Sequence, residues 1–185
     1  LAFAIASNRL IYTSDANVTI GSRVTGTGGL TTFGPGILTL SGVSTYTGPT
    51  TIQSGILHVA GSIAATAVAV NGQAAAISGN VQGDVSAVGG RLVAMAGGIL
   101  GTSSSTLKLD TVPLSGHGTV HAHADVKGFI DPPIAPGTLT FTGKVDFTGT
   151  LFVWKLFALA DNGTLGSRMW NSLNFTAPAA DLNLG

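Results

Sequence analysis

Thr27-Gly28-Gly29-Leu30, Gly34-Pro35-Gly36-Ile37-Leu38-Thr39-Leu40-Ser41-Gly42, Tyr46-Thr47-Gly48-Pro49-Thr50-Thr51-Ile52 and Ser54-Gly55-Ile56-Leu57-His58-Val59 follow one another between residues 27 and 59. They are short runs of alternating apolar and polar residues, punctuated by glycine. Alternation with a period of two puts every second side chain on the same face of a strand. Leu38 and Leu40 then point inward together, Gly42 turns the corner, Tyr46 packs over the next edge, and Ile52 and Leu57 re-enter the core. A sandwich would need hairpins and longer strands with bulky core residues. Short strands with a glycine at nearly every corner suit a parallel solenoid, in which every backbone group pairs with the rung above or below.

The pattern extends in both directions. Val18-Thr19-Ile20 precedes it, and Ala67-Val68-Ala69-Val70, Arg91-Leu92-Val93-Ala94-Met95, Thr106-Leu107-Lys108-Leu109, Thr138-Leu139-Thr140-Phe141 and Thr150-Leu151-Phe152-Val153 follow. Asn71-Gly72, Gly89-Gly90 and Gly97-Gly98 mark turns between them. Helical periodicity is almost nowhere visible. Small aliphatic side chains suit a narrow core in which like residues stack at about 4.8 Å. Rungs of roughly 20 residues predict about eight or nine levels and a rod of about 40 Å. The expected fold is all-β: a single right-handed parallel β-helix, a β-solenoid forming one domain over residues 1–185, with an irregular C-terminal part. Leu1-Ala2-Phe3-Ala4-Ile5-Ala6 has an A-x-A pattern like the tail of a signal peptide, but its alternation is read as a strand.

Composition narrows the function. Only 9% of the 185 residues are charged, against roughly 25% in ordinary domains, and 27 are glycine. Net charge is zero, so no basic field attracts nucleic acid or anionic lipid, and little repulsion opposes self-association. Cysteine is absent, which removes disulfides and thiolate metal sites. No apolar run reaches the length of a membrane helix.

Residues 27–59 closely resemble the autotransporter-associated β-strand repeat, G-x-L-T-L-x-G followed by Y-x-G-x-T-x-I and G-x-L-x-V, with Pro49 in place of a glycine and Ile37 and Ile56 in place of threonine. Residues 114–185 resemble the late segment of such passengers. There Leu114-Ser115-Gly116-His117-Gly118-Thr119-Val120 is followed by Ile134-Ala135-Pro136-Gly137-Thr138-Leu139-Thr140-Phe141-Thr142-Gly143, and Ser172-Leu173-Asn174-Phe175-Thr176 and Asp181-Leu182-Asn183-Leu184 are similar to its last strands. The resemblance implies a bacterial extracellular or outer-membrane-surface scaffold. Passengers include adhesins, toxins and matrix proteins, so it does not by itself fix an activity. Complete autotransporters end in a membrane barrel, and nothing in this chain has its long alternating strands. The expectation is therefore a segment of a longer chain or a solenoid exported by another route.

Several residue groups were weighed for chemistry. His121, His123 and Asp125 share one face if they share a strand, with His117 upstream, which matches metal-ligand spacing in principle. An exposed polar strand face is the preferred reading, and no metal or other cofactor is assigned. Solenoid glycosidases need carboxylates that face one groove. Asp131 and Asp146 are the candidates for such a pair, but the carboxylates are scattered singly, and no catalytic residue is assigned. Gly26-Thr27-Gly28-Gly29 lacks the strand-to-helix context of a phosphate loop. Asn17-Val18-Thr19, Asn162-Gly163-Thr164 and Asn174-Phe175-Thr176 match the glycosylation sequon, as chance allows in a threonine-rich chain. The apolar stretch 151–159 is read either as a strand buried on both sides or as a contact surface, with Met169 and Trp170 closing the same end.

The expected function is non-catalytic: adhesion or matrix support at the cell surface, with other copies or surface components as partners. The alternatives are a self-assembling filament subunit and, as a weaker reading, a solenoid polysaccharide hydrolase.

Overall fold

The computed structural model describes residues 2–64, 66–131, 137–152, 172–176 and 182–183. Among them every regular element is a strand, and the strands pair in parallel with the chain one rung away. Three sheets form the walls, with nine, eight and seven strands. The nine-stranded sheet begins at Arg9–Tyr12 and takes in Leu30–Phe33, Thr50–Ile52, Val68–Val70, Val85–Ala87, Thr106–Leu109, His123–Val126, Val145–Asp146 and Leu182–Asn183. The eight-stranded sheet runs from Val18–Ile20 through Ile37–Leu40 and Ile56–Val59 to Leu151–Phe152, and the seven-stranded one from Val43–Ser44 to Ser172–Phe175. The expected parallel solenoid is what the chain forms.

Alternation dictates what each wall buries. In Ile37–Leu40 and Ile56–Val59 the first and third side chains are half-buried and the second and fourth fully buried. In-register pairing then stacks Leu38 on Leu57, Leu57 on Ala75, Ala75 on Leu92 and Leu92 on Leu114. A matching inward file from the nine-stranded sheet runs Ile52, Val70, Ala87, Leu109, Val126. Burying each large aliphatic of this core stabilises the fold by about 1.5–3 kcal/mol. Ile37 and Ile56 occupy adjacent outward positions, which explains why β-branched residues of either polarity fit there.

Tyr46 is completely buried, with its hydroxyl on Thr50 Oγ1. Toward the C-terminal rungs the core becomes aromatic: the Phe141 ring centroid is 5.4 Å from Phe147 and 5.5 Å from Phe175. The stretch 151–159, apart from the strand Leu151–Phe152, lies outside the described residues, as do Met169 and Trp170.

Rung length is uneven, and that shapes the surface. The corner between the seven- and nine-stranded walls is residues 82–84 in one rung, 101–105 in the next and 121–122 in the one after. The long corner therefore lies next to a short one.

Candidate functional site

The histidines do not form one cluster. His123 and Asp125 point outward from His123–Val126, because Ala124 and Val126 point in. His121 precedes that strand on the two-residue corner, where its Nδ1 meets Thr142 Oγ1 of the next rung. The chain bends at Ala122 between His121 and His123, and with Ala122 buried both histidines stay on the outside of the core. His117 lies before Thr119–Val120 and packs beside Gly137. Asp125 faces the Lys127 ammonium at 3.7 Å. Among the described residues no group of three or more histidines and carboxylates is placed to hold a metal ion.

The two carboxylates considered for hydrolysis belong to different walls. Asp131 follows Phe129–Ile130 of the eight-stranded sheet and pairs with Arg91 at 3.9 Å. Asp146 lies on the nine-stranded sheet. The Thr148 hydroxyl at 2.6 Å and backbone N–H at 2.9 Å donate to it, and the Asn183 amide does so at 3.2 Å. These donors, led by the Thr148 hydroxyl, hold its carboxyl below the usual carboxylate range.

The geometry instead picks out the long corner. Residues 101–105 form a ledge that fixes itself in place. Ser105 Oγ accepts from the Thr102 N–H at 2.7 Å and donates to the Thr102 carbonyl at 3.1 Å. Gly101 sits at φ +77°, and a Cβ there would collide with Ser105 and Ala122, so only glycine fits where the ledge leaves the wall. Ser103 and Ser104 project into solvent. Beside the ledge the wall carries a cleft of about 570 Å³ that reaches the rungs on both sides of it. The amides of Asn80 and Gln82 and the hydroxyls of Thr102 and Ser103 line it, with His121, His123 and Lys144 completing its wall. A second groove of about 560 Å³ adjoins it on the outer face of the nine-stranded sheet, where Lys108, Asp125 and Asp146 stand on neighbouring strands. No motif announced the cleft in the sequence. Its only signal is the run Gly101-Thr102-Ser103-Ser104-Ser105, an oversized polar corner.

Compared with known families, residues 30–59 and 136–155 match the passenger-associated-transport repeat. Two segments of the chain are similar to this repeat. No curated protein and no solved structure matches the chain. The matched segments and the stacked solenoid together fit an autotransporter passenger domain. The first passenger repeat spans Leu30–Phe33, Ile37–Leu40, Thr50–Ile52 and Ile56–Val59, more than one circuit of the walls. The second supplies Thr142 and Lys144 to the cleft, while the ledge and His123 lie between the two repeats. The cleft is formed largely by the rungs between the two matched segments.

Proposed function

We propose that this chain is a non-catalytic, secreted or surface-exposed bacterial passenger solenoid serving adhesion or matrix support. One observation carries the reading: among the described residues the walls are paired in register from rung to rung, so the strands satisfy one another's backbone along the stack. Such a rod presents few unpaired segments to proteases. Its outer surface suits close contact, because no Asp, Glu, Lys or Arg occurs between Arg23 and Asp84. The test is display of residues 1–185 on a laboratory bacterium behind a heterologous membrane barrel. Displaying cells are expected to be retained on glass and on epithelial monolayers above vector controls. Retention equal to the controls would overturn the adhesive reading. Polysaccharide hydrolysis that disappears in Asp131→Asn or Asp146→Asn would overturn the non-catalytic one.

A filament subunit is favoured by a different observation. Leu10 and Tyr12, 62% and 59% exposed, lie on Arg9–Tyr12, the outermost strand of the nine-stranded sheet among the described residues. Exposed apolar groups on an outer strand invite head-to-tail stacking. Negative-stain microscopy over a concentration series separates the readings: fibres support the filament, and single rods at every concentration eliminate it.

A further inference from the structure

We propose that the cleft beside the 101–105 ledge is a binding site for a saccharide bearing a carboxylate, a uronic-acid-type unit of a glycan. The inference rests on the surface-protein reading and gives it a ligand class. Four observations converge on it.

The first is shape. A five-residue ledge next to a two-residue corner leaves a cleft of a size for a few sugar rings. The second is hydrogen-bonding character. The Asn80 and Gln82 amides both donate and accept, as do the Thr102 and Ser103 hydroxyls, and sugar hydroxyls need both kinds of partner. The third is charge. One ammonium, Lys144, and two imidazoles line the cleft, and no carboxylate does, although acidic and basic residues balance in the chain as a whole. This selects a carboxylated saccharide over a neutral one. It also disfavours densely sulfated chains and nucleic acid, because a single ammonium cannot neutralise them and Asp125 and Asp146 stand on the adjoining face.

The fourth concerns partners that the fold leaves unmade. Among the described residues two buried side-chain polar atoms have no hydrogen-bond partner in the protein, Asn80 Oδ1 and His123 Nδ1. Both residues line this one cleft, although they belong to different walls. Buried polar groups are normally paired, so such exceptions need a reason. Both residues lie against the space that a ligand in this cleft would fill.

The test is calorimetric titration of the purified chain with two probes of equal length, a hyaluronan tetrasaccharide, which carries glucuronate, and neutral chitotetraose. Saturable binding of the hyaluronan probe is expected, with chitotetraose weaker by about tenfold, the scale of one charged hydrogen bond. Lys144→Gln is expected to remove that preference. Ser103→Trp changes an exposed ledge residue away from the core and is expected to block both probes while leaving the circular dichroism spectrum and melting temperature unchanged. Absence of saturable binding, equal binding of both probes, or binding indifferent to Ser103→Trp and Lys144→Gln would each overturn the proposal. Surface-displayed chain that holds cells to a substratum without binding either probe would refute the saccharide site and leave the adhesive reading intact. Probe binding without cell retention would do the reverse.

Discussion

Tyr46 shows how one side chain ties the solenoid to pH. Its ring is fully buried beside Thr50, which is also buried, and the two hydroxyls share a hydrogen bond. Burial pushes the phenol up to about 12 from 10.0, with the Thr50 bond acting in the opposite direction. A raised folded-state value means that the native state holds the proton more tightly than the unfolded chain. The associated stability is complete below pH 10 and is lost as pH rises through about 12, on the order of 2–3 kcal/mol in all. Denaturant melts at pH 8, 10 and 11.5 should show this loss in the native chain and lack that component in Tyr46→Phe. At neutral pH, Tyr46→Phe leaves Thr50 without its hydroxyl partner and should destabilise by about 1–2 kcal/mol. The sequence pattern placed Tyr46 near a corner. It did not reveal complete burial, because a corner residue can turn either in or out, and the neighbouring rungs determine which.

Strands and corners follow different rules. A strand position tolerates exchange between branched residues on its outer side, as Ile37 and Ile56 show at threonine positions of the repeat. A corner can be far less tolerant. Gly42, Gly61 and Gly79 stack at the corner entering the seven-stranded sheet, and the next rung donates to their carbonyls: Ser62 N–H to Gly42 at 3.1 Å and Asn80 N–H to Gly61 at 2.9 Å. A Cβ on Gly61 would strike the Gly42 carbonyl, and one on Gly79 the Gly61 carbonyl. Gly61→Ala should therefore cost about 1–3 kcal/mol through forced backbone shifts. Gly21→Ala is the control, since the nearest atom to its added Cβ is Ser41 Oγ at 3.7 Å. Urea denaturation followed by circular dichroism compares the two, and a loss for Gly21→Ala as large as for Gly61→Ala would contradict the stacking account. Alternation and glycine spacing made these elements legible. The ledge at 101–105 was not, because an extra few residues in a corner look like any polar turn until the short corner next to it is known.

At the scale of the whole molecule, the described residues are held by paired backbone and stacked aliphatics. The ion pairs Arg91–Asp131 and Lys127–Asp125 are 3.9 and 3.7 Å long, with more than half of each cationic side chain exposed. Pairs of this kind contribute about 0–1 kcal/mol. Arg91→Ala should thus lower stability by no more than about 1 kcal/mol. The melting midpoint should also stay nearly constant from low salt to molar sodium chloride; a steep salt dependence would point to an ionic contribution that these pairs do not explain. By itself the sequence determined the parallel all-β solenoid, the inward files of leucine, isoleucine and valine, and the likeness to passenger repeats. These are properties of local periodicity, which each rung states again. Only the tertiary structure decided that a bend separates His121 from His123, that Asp131 and Asp146 stand on different walls, and that a cleft opens beside the ledge. Those relations join residues one or more rungs apart, and they depend on the length of each intervening corner, which no periodic pattern encodes.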